Sequence, residues 1–229
     1  MAAVVQGPRG TRILIDTPPE LRLQLVRARI ETIDAVLYTH DHADHIHGID
    51  DLRAISLRSG GLPIYGPAET LERLGQSFSY IFDAAVVPQP GTSKPELTPV
   101  PLEPGRRLDV SGISVLPFEL DHGGTRLFGY RFGELAYLTD VKSVPESSLA
   151  LIRGVRVLIV SALFDRPHPT HFCFDDAIAL SREVGADRTY LTHLTHQFTY
   201  GELMERLPEG IEPAHDGLVV PFDGHCVPG

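Results

Sequence analysis

The stretch DAVLYTHDHADHIHG, residues 34–48, limits the fold of this chain more than any other. Its first part, Asp34–Thr39, is a short apolar run with the length of a buried strand. That strand delivers the chain into Thr39–Gly48, where four histidines and two aspartates occur in ten residues. In extended chain, residues two apart point to one side, so His40 and His42 share a side. Asp44 and His45 follow where the chain reverses into a helix. Such a turn aims two ligands at one point and two at a neighbouring point. Imidazole and carboxylate are borderline to hard donors, suited to Zn²⁺, Mn²⁺ or Fe. His47 falls outside the spacing and is expected at the surface.

Strands and helices mix along the whole length, which predicts an α/β (α+β) chain of two sheets covered by helices. Strands are expected at 11–16, 34–39 and 62–66, then at 113–122, 127–132, 135–140, 155–163 and 188–193. A closing strand is expected at 211–222. Helices are expected at 18–30, 49–58, 67–76, 145–154, 174–185 and 200–210, with Gly185 closing its helix. The proline-dense stretch 82–105 reads as irregular connection with one or two strands inside it. No internal repeat appears, and residues 1–229 read as a single domain.

Three predicted strands end in further metal-binding side chains: His122 ends FELDH, Asp140 ends LAYLTD and His193 ends RTYLTH. One strand ending in a histidine says little. Three in a chain that already carries the imidazole-rich turn support one another. Net charge is −10 with histidine neutral, which disfavours a general nucleic-acid binder. A small anionic substrate stays compatible, because bound cations supply positive charge locally. The two cysteines, Cys173 and Cys226, form no CxxC pair, so free thiols in a reducing, cytoplasmic setting are expected. No stretch has the apolar length of a membrane span, and the first residues lack a secretory signal.

The order of these motifs resembles the metallo-β-lactamase superfamily, whose signature is T-H-x-H-x-D-H followed by a distal His, Asp and His. The resemblance spans Asp16 to His193. It implies a four-layer αβ/βα sandwich of two mixed β-sheets flanked by helices, with two divalent metal ions, zinc or manganese. His40, His42 and His122 would hold one ion. Asp44, His45 and His193 would hold the other, and Asp140 would bridge both. Asp16 matches the family's early aspartate, which supports the histidine turn by hydrogen bonding.

Within that superfamily, THDHADHIHGIDDLR, LDHGGTRLFGYRF, YLTDV and LTHLTHQF resemble the PhnP-like phosphoribosyl cyclic phosphodiesterases. THFCFDDAIAL then matches the segment carrying that group's active-site histidine, which places His171 at the substrate, with His168 the weaker candidate. The implied chemistry is hydrolysis of a small cyclic phosphate ester by metal-bound hydroxide, with Asp44 orienting the water and His171 protonating the leaving oxygen. Members of this group begin with a Gly- and Cys-rich segment whose cysteines, with the second histidine of HLTH, hold a structural metal. Here His196 lacks those cysteines, so either the natural chain starts upstream or it dispenses with the element. A homodimer would then cover the exposed sheet edge.

Other readings stay open on the sequence. One is a transfer-RNA 3′-end processing endonuclease, although a basic RNA-gripping arm is not evident. Another is hydrolysis of a thioester or lactam. A third is a noncatalytic binding protein of cofactor biosynthesis, similar to pyrroloquinoline-quinone accessory proteins. Such proteins tend to lose ligands, whereas all seven positions are filled here.

Overall fold

The computed structural model describes residues 1–224 and holds two mixed sheets, one of five strands and one of seven. The chain divides into two compact units, Met1–Glu103 with Val110–Ile113, and Pro104–Asp109 with Ser114–Gly229. Cys226 lies outside the described residues; Cys173 is buried and forms no disulfide. No helix among the described residues is long and apolar enough to cross a membrane.

In the first unit the strands are β1 (Ala3–Gln6), β2 (Arg12–Ile15), β3 (Ala35–Leu37), β4 (Leu62–Gly66) and β5 (Leu97–Pro101), paired in that order. β1 runs antiparallel to β2, and the other pairings are parallel. Parallel neighbours need crossovers. These are supplied by α1 (Leu21–Arg27), α2 (Ala43–Ile46), α3 (Arg53–Ser59), α4 (Ala68–Ser77) and α5 (Ser79–Phe82). All three residues of β3 are buried, as expected for the middle strand of a covered parallel sheet. Leu14, Val36, Tyr38, Ile49, Leu52, Ile64 and Leu74 share one core cluster with it. Each such aliphatic side chain contributes about 1.5–3 kcal/mol when fully buried.

The seven-stranded sheet is built from β6 (Leu108–Val110), β7 (Ile113–His122), β8 (Thr125–Phe132), β9 (Leu135–Leu138), β10 (Val157–Ser161), β11 (Arg188–Thr192) and β12 (Ile211–Pro213), in the reverse of chain order. β7, β8 and β9 form an antiparallel meander, whereas β9 to β12 are mutually parallel. The helices are α6 (Glu146–Ile152), α7 (Phe174–Val184) and α8 (Tyr200–Arg206). α7 buries Phe174, Ala177, Leu180, Ser181 and Val184, a helical stripe, and stops where Gly185 turns left-handed with φ 78°. α8 starts at a capping box in which Thr199 and Glu202 satisfy each other's backbone N–H.

Most expected elements lie where the periodicity put them, shortened by one to four residues at their ends, while β8 begins two residues earlier than expected. The helix expected at 49–58 is a 3₁₀ turn, Ile49–Leu52, followed by α3. Stretch 82–105 holds one strand, β5. β1 and the three-residue β6 were not foreseen. The closing strand expected over 211–222 stops at Pro213, because a turn at His215–Leu218 with Gly217 at φ 81° interrupts the ladder.

Gly48 shows how tightly the histidine turn is seated. The Thr17 N–H donates to the His45 carbonyl at 2.7 Å, and the Gly48 N–H returns to the Thr17 carbonyl at 2.8 Å. A Cβ at Gly48 would lie 2.0 Å from the Pro18 carbonyl oxygen, so backbone would have to move. At Gly75, within α4, a Cβ meets nothing within 4 Å. Gly48→Ala is expected to lose about 1–3 kcal/mol of stability, while Gly75→Ala gains up to about 1 kcal/mol. Urea unfolding of the two variants beside the parent chain checks both signs.

Candidate metal centre

In the first unit the site begins with Asp16, which follows β2, and His40, which follows β3. Ile15 pairs with Leu37 in parallel register, so both strands leave the sheet at the same edge. Asp16 is fully buried and takes a left-handed backbone, φ 59°, that turns its side chain under the histidine segment. One carboxylate oxygen accepts from the Thr39 N–H at 2.8 Å. The other accepts from the Thr39 hydroxyl at 2.8 Å and faces His45 Nδ1 at 2.8 Å. His40 Nδ1 lies 2.9 Å from the same Thr39 hydroxyl. The His40 ring centroid is 4.5 Å from that of His42 and 4.3 Å from that of His45. His42 occupies the N-cap of α2 and Asp44 its first turn, both exposed.

The second unit repeats the device. β9, β10 and β11 are parallel, and two reversals make β7 run in the same direction as β9. Asp140, His193 and His122 therefore all emerge at corresponding strand ends. Asp140 and His193 again have left-handed backbones, φ 51° and 55°. His193 Nε2 lies 3.4 Å from Asp140 Oδ1, which also accepts from the Thr139 hydroxyl at 2.8 Å. His122 Nδ1 meets the Thr170 carbonyl at 2.6 Å. His171 stands between His122 and His193, with ring centroids 4.6 and 5.3 Å away. His122, Asp140 and His171 each offer a ligand atom within 4.8 Å of the others. Burial pushes the His171 imidazole down to about 4; Asp140 opposes this, while His122, His193 and His168 add to it.

These hydrogen bonds decide where each ring keeps its proton. A carboxylate and a carbonyl only accept, so His45 and His122 must donate from Nδ1. Thr39 spends its one hydroxyl proton on Asp16, so it accepts from His40 Nδ1. In the neutral form each of the three rings is thus the tautomer whose Nε2 carries a lone pair, the form that ligates metal. The Nε2 of His45 faces Asp44 Oδ2 at 3.3 Å, so both atoms are placed where one cation would meet them. The donor set fits divalent metal ions.

His47 is exposed, as its spacing implied, and packs its ring against Phe78 at 6.0 Å. His196 sits exposed in a turn. His168 lies beside His171, ring centroids 5.3 Å apart. Sequence reasoning missed the threonines: Thr39, Thr139 and Thr170 each orient a neighbouring histidine or aspartate. The signal was legible, since Thr39 and Thr139 immediately precede a strand-terminal His or Asp.

Residues 11–194 match the family described as beta-lactamase superfamily domain, and the chain belongs to that family. Its fold is the metallo-β-lactamase fold, with two mixed sheets and helices. A solved diphosphatase of the PhnP family is 36% identical with a TM-score of 0.88, over 99% of this chain and 85% of that one. An octanoyltransferase of Porphyromonas gingivalis is 34% identical over 216 residues, 93% of this chain and 43% of that protein. A ribonuclease Z of Bradyrhizobium sp. is 30% identical over 128 residues, 54% of this chain and 40% of that protein. The chain spans less than half the length of these two curated relatives.

Asp16→Asn keeps a residue that tolerates φ 59° but replaces one accepting oxygen with a donor. Its expected effect is a loss of about 10–100-fold in metal affinity with the fold retained. Competition with a chromophoric chelator, beside a circular dichroism spectrum, measures it. Parental affinity in this variant would show that Asp16 does not set the rings.

Proposed function

We propose that this chain is a metal-dependent hydrolase that cleaves a small phosphodiester, with a cyclic phosphate ester as the first substrate to try. The observation that carries the reading is the set of three imidazoles fixed with Nε2 as the ligating atom. His40, His42 and His122 would hold one zinc or manganese ion, Asp44, His45 and His193 a second, and Asp140 would serve both. Ions held there supply a water of lowered pKa and neutralise charge on the phosphoryl oxygens. Membership of the superfamily and the 36% identity to a PhnP-family diphosphatase support a phosphorus substrate.

The chain's own residues do the positioning. Asp16 and Thr39 lock His40 and His45, and Thr170 locks His122. Asp44, exposed at the start of α2, orients the attacking water and accepts its hydrogen bond. His171, beside Asp140 and His122, gives the leaving oxygen its hydrogen-bond donor. In the reaction water oxygen bonds to phosphorus, the phosphorus–oxygen ester bond breaks, and the proton that the attacking water gives up ends on the departing oxygen. Net charge of −10 favours a small substrate over a transfer RNA.

A panel of cyclic and linear phosphodiesters, diphosphates and a precursor transfer RNA, assayed with zinc- or manganese-loaded protein, tests the reading. Turnover of small phosphodiesters above the RNA is expected; cleavage of the RNA alone would overturn it. His171→Ala is expected to lower turnover by about 10²–10⁴-fold with metal content unchanged. Asp140→Asn is expected to lose metal as well as rate. Metal analysis by mass spectrometry separates the two, and loss of metal from His171→Ala would make His171 a ligand instead.

A further inference from the structure

We propose that residues 165–171 form a recognition arm in which Arg166 and His168 receive a second anionic group of the substrate, beyond the phosphate that is hydrolysed. The proposal deepens the phosphodiesterase reading and rests on it for the position of the reacting phosphate.

The arm is a closed loop. The Leu163 N–H donates to the Phe172 carbonyl at 3.0 Å, and the Phe174 N–H to the Phe164 carbonyl at 2.9 Å. The Phe172 N–H in turn donates to the Val141 carbonyl at 2.7 Å, next to Asp140. Both ends are therefore pinned beside the metal ligands, and the tip reads DRPHPTH. Pro167 and Pro169 fix φ on either side of His168, so little backbone freedom remains to be lost when a ligand binds.

Thr170 ties the tip to the site. Its carbonyl accepts from the metal ligand His122 at 2.6 Å. Its N–H donates to His168 Nδ1 at 3.3 Å, which leaves the ring proton of neutral His168 on Nε2, a donor. Opposite Thr170, a Cβ on Gly123 would come within 2.6 Å of the threonine methyl, so this packing needs a glycine there. One residue thus positions a ligand and the arm's imidazole together.

From His171 a row of flat groups leads away from the ligands. The His171 and His168 rings are 5.3 Å apart, His168 and Phe164 5.3 Å, and the Arg166 guanidinium carbon lies 5.2 Å over the Phe164 ring. Arg166 is exposed and makes no ion pair among the described residues. Its acidic neighbour Asp165 is engaged by Arg206 of α8 at 3.8 Å instead. In a chain of net charge −10, a guanidinium placed over an aromatic ring and without a carboxylate partner among the described residues is suited to receive an anion. Guanidinium forks match phosphate oxygens in pairs, and an imidazole N–H adds a third donor.

The test uses the metal-loaded full chain and two probes, fructose 1,6-bisphosphate and fructose 6-phosphate, with binding read by calorimetry. The parent is expected to bind the bisphosphate on the order of tenfold tighter than the monophosphate. Arg166→Ala removes that preference and leaves monophosphate affinity as it was, while Arg166→Lys restores part of it. His168→Gln weakens the bisphosphate alone. On phosphodiesters with and without a second phosphate, Arg166→Ala raises KM only for the former. A parent with no preference, or an Arg166→Ala that weakens both probes equally, overturns the proposal. If the binding preference depends on Arg166 and no phosphodiester is turned over, the arm stands and the assigned reaction falls.

Discussion

The buried carboxylate of Asp16 organises the first half of the site. A carboxylate inside an apolar core is costly unless its oxygens are met by donors. Here two donors come from Thr39 and a third from His45. The same contacts that offset its burial also fix the His45 ring and, through the Thr39 hydroxyl, the His40 ring. Stability and the geometry of both rings therefore rest on one set of hydrogen bonds. A change that spares the fold but reverses one donor would disturb the His40 and His45 rings first.

Parallel strands explain why residues far apart in sequence act alike. Neighbours that run in the same direction finish at the same edge, so side chains just past their last ladder bonds are gathered without further design. Asp16 and His40 follow β2 and β3 in this way; Asp140 and His193 follow β9 and β11. His122 reaches the corresponding end because the β7–β8–β9 meander reverses twice. Threonine recurs at these ends because a hydroxyl both donates and accepts, and can link an imidazole to a carboxylate, as Thr39 links His40 to Asp16.

What was legible in the sequence follows from this. Apolar runs and their terminal His and Asp residues are local patterns, so His40, Asp140 and His193 stood out at once. The T-H-x-H-x-D-H signature and its distal partners carried the family, which the match over residues 11–194 bears out. What depended on distant pairing was not legible. The three-residue β6 has too little pattern to be read alone, and the expected final strand failed because its turn residues outweighed its apolar ones. Thr170 gave no local sign of its role, since its partner His122 lies 48 residues away.

The left-handed backbones at Asp16, Asp140 and His193 complete the argument. A non-glycine residue in that region costs of order 1 kcal/mol or more, and glycine would relieve it. Glycine has no side chain to ligate or accept. Aspartate and histidine are among the residues that tolerate the region best, and the left-handed turn re-aims the side chain as the strand ends. Two of the three are proposed ligands and the third orients two more. At these three positions the strain coincides with a side chain that carries a donor atom, just past the end of the ladder; Arg29 and Ser111 are left-handed too, outside the site. The parallel core of each sheet, with β3 and β9 wholly buried, supplies the rigidity that holds these turns in place.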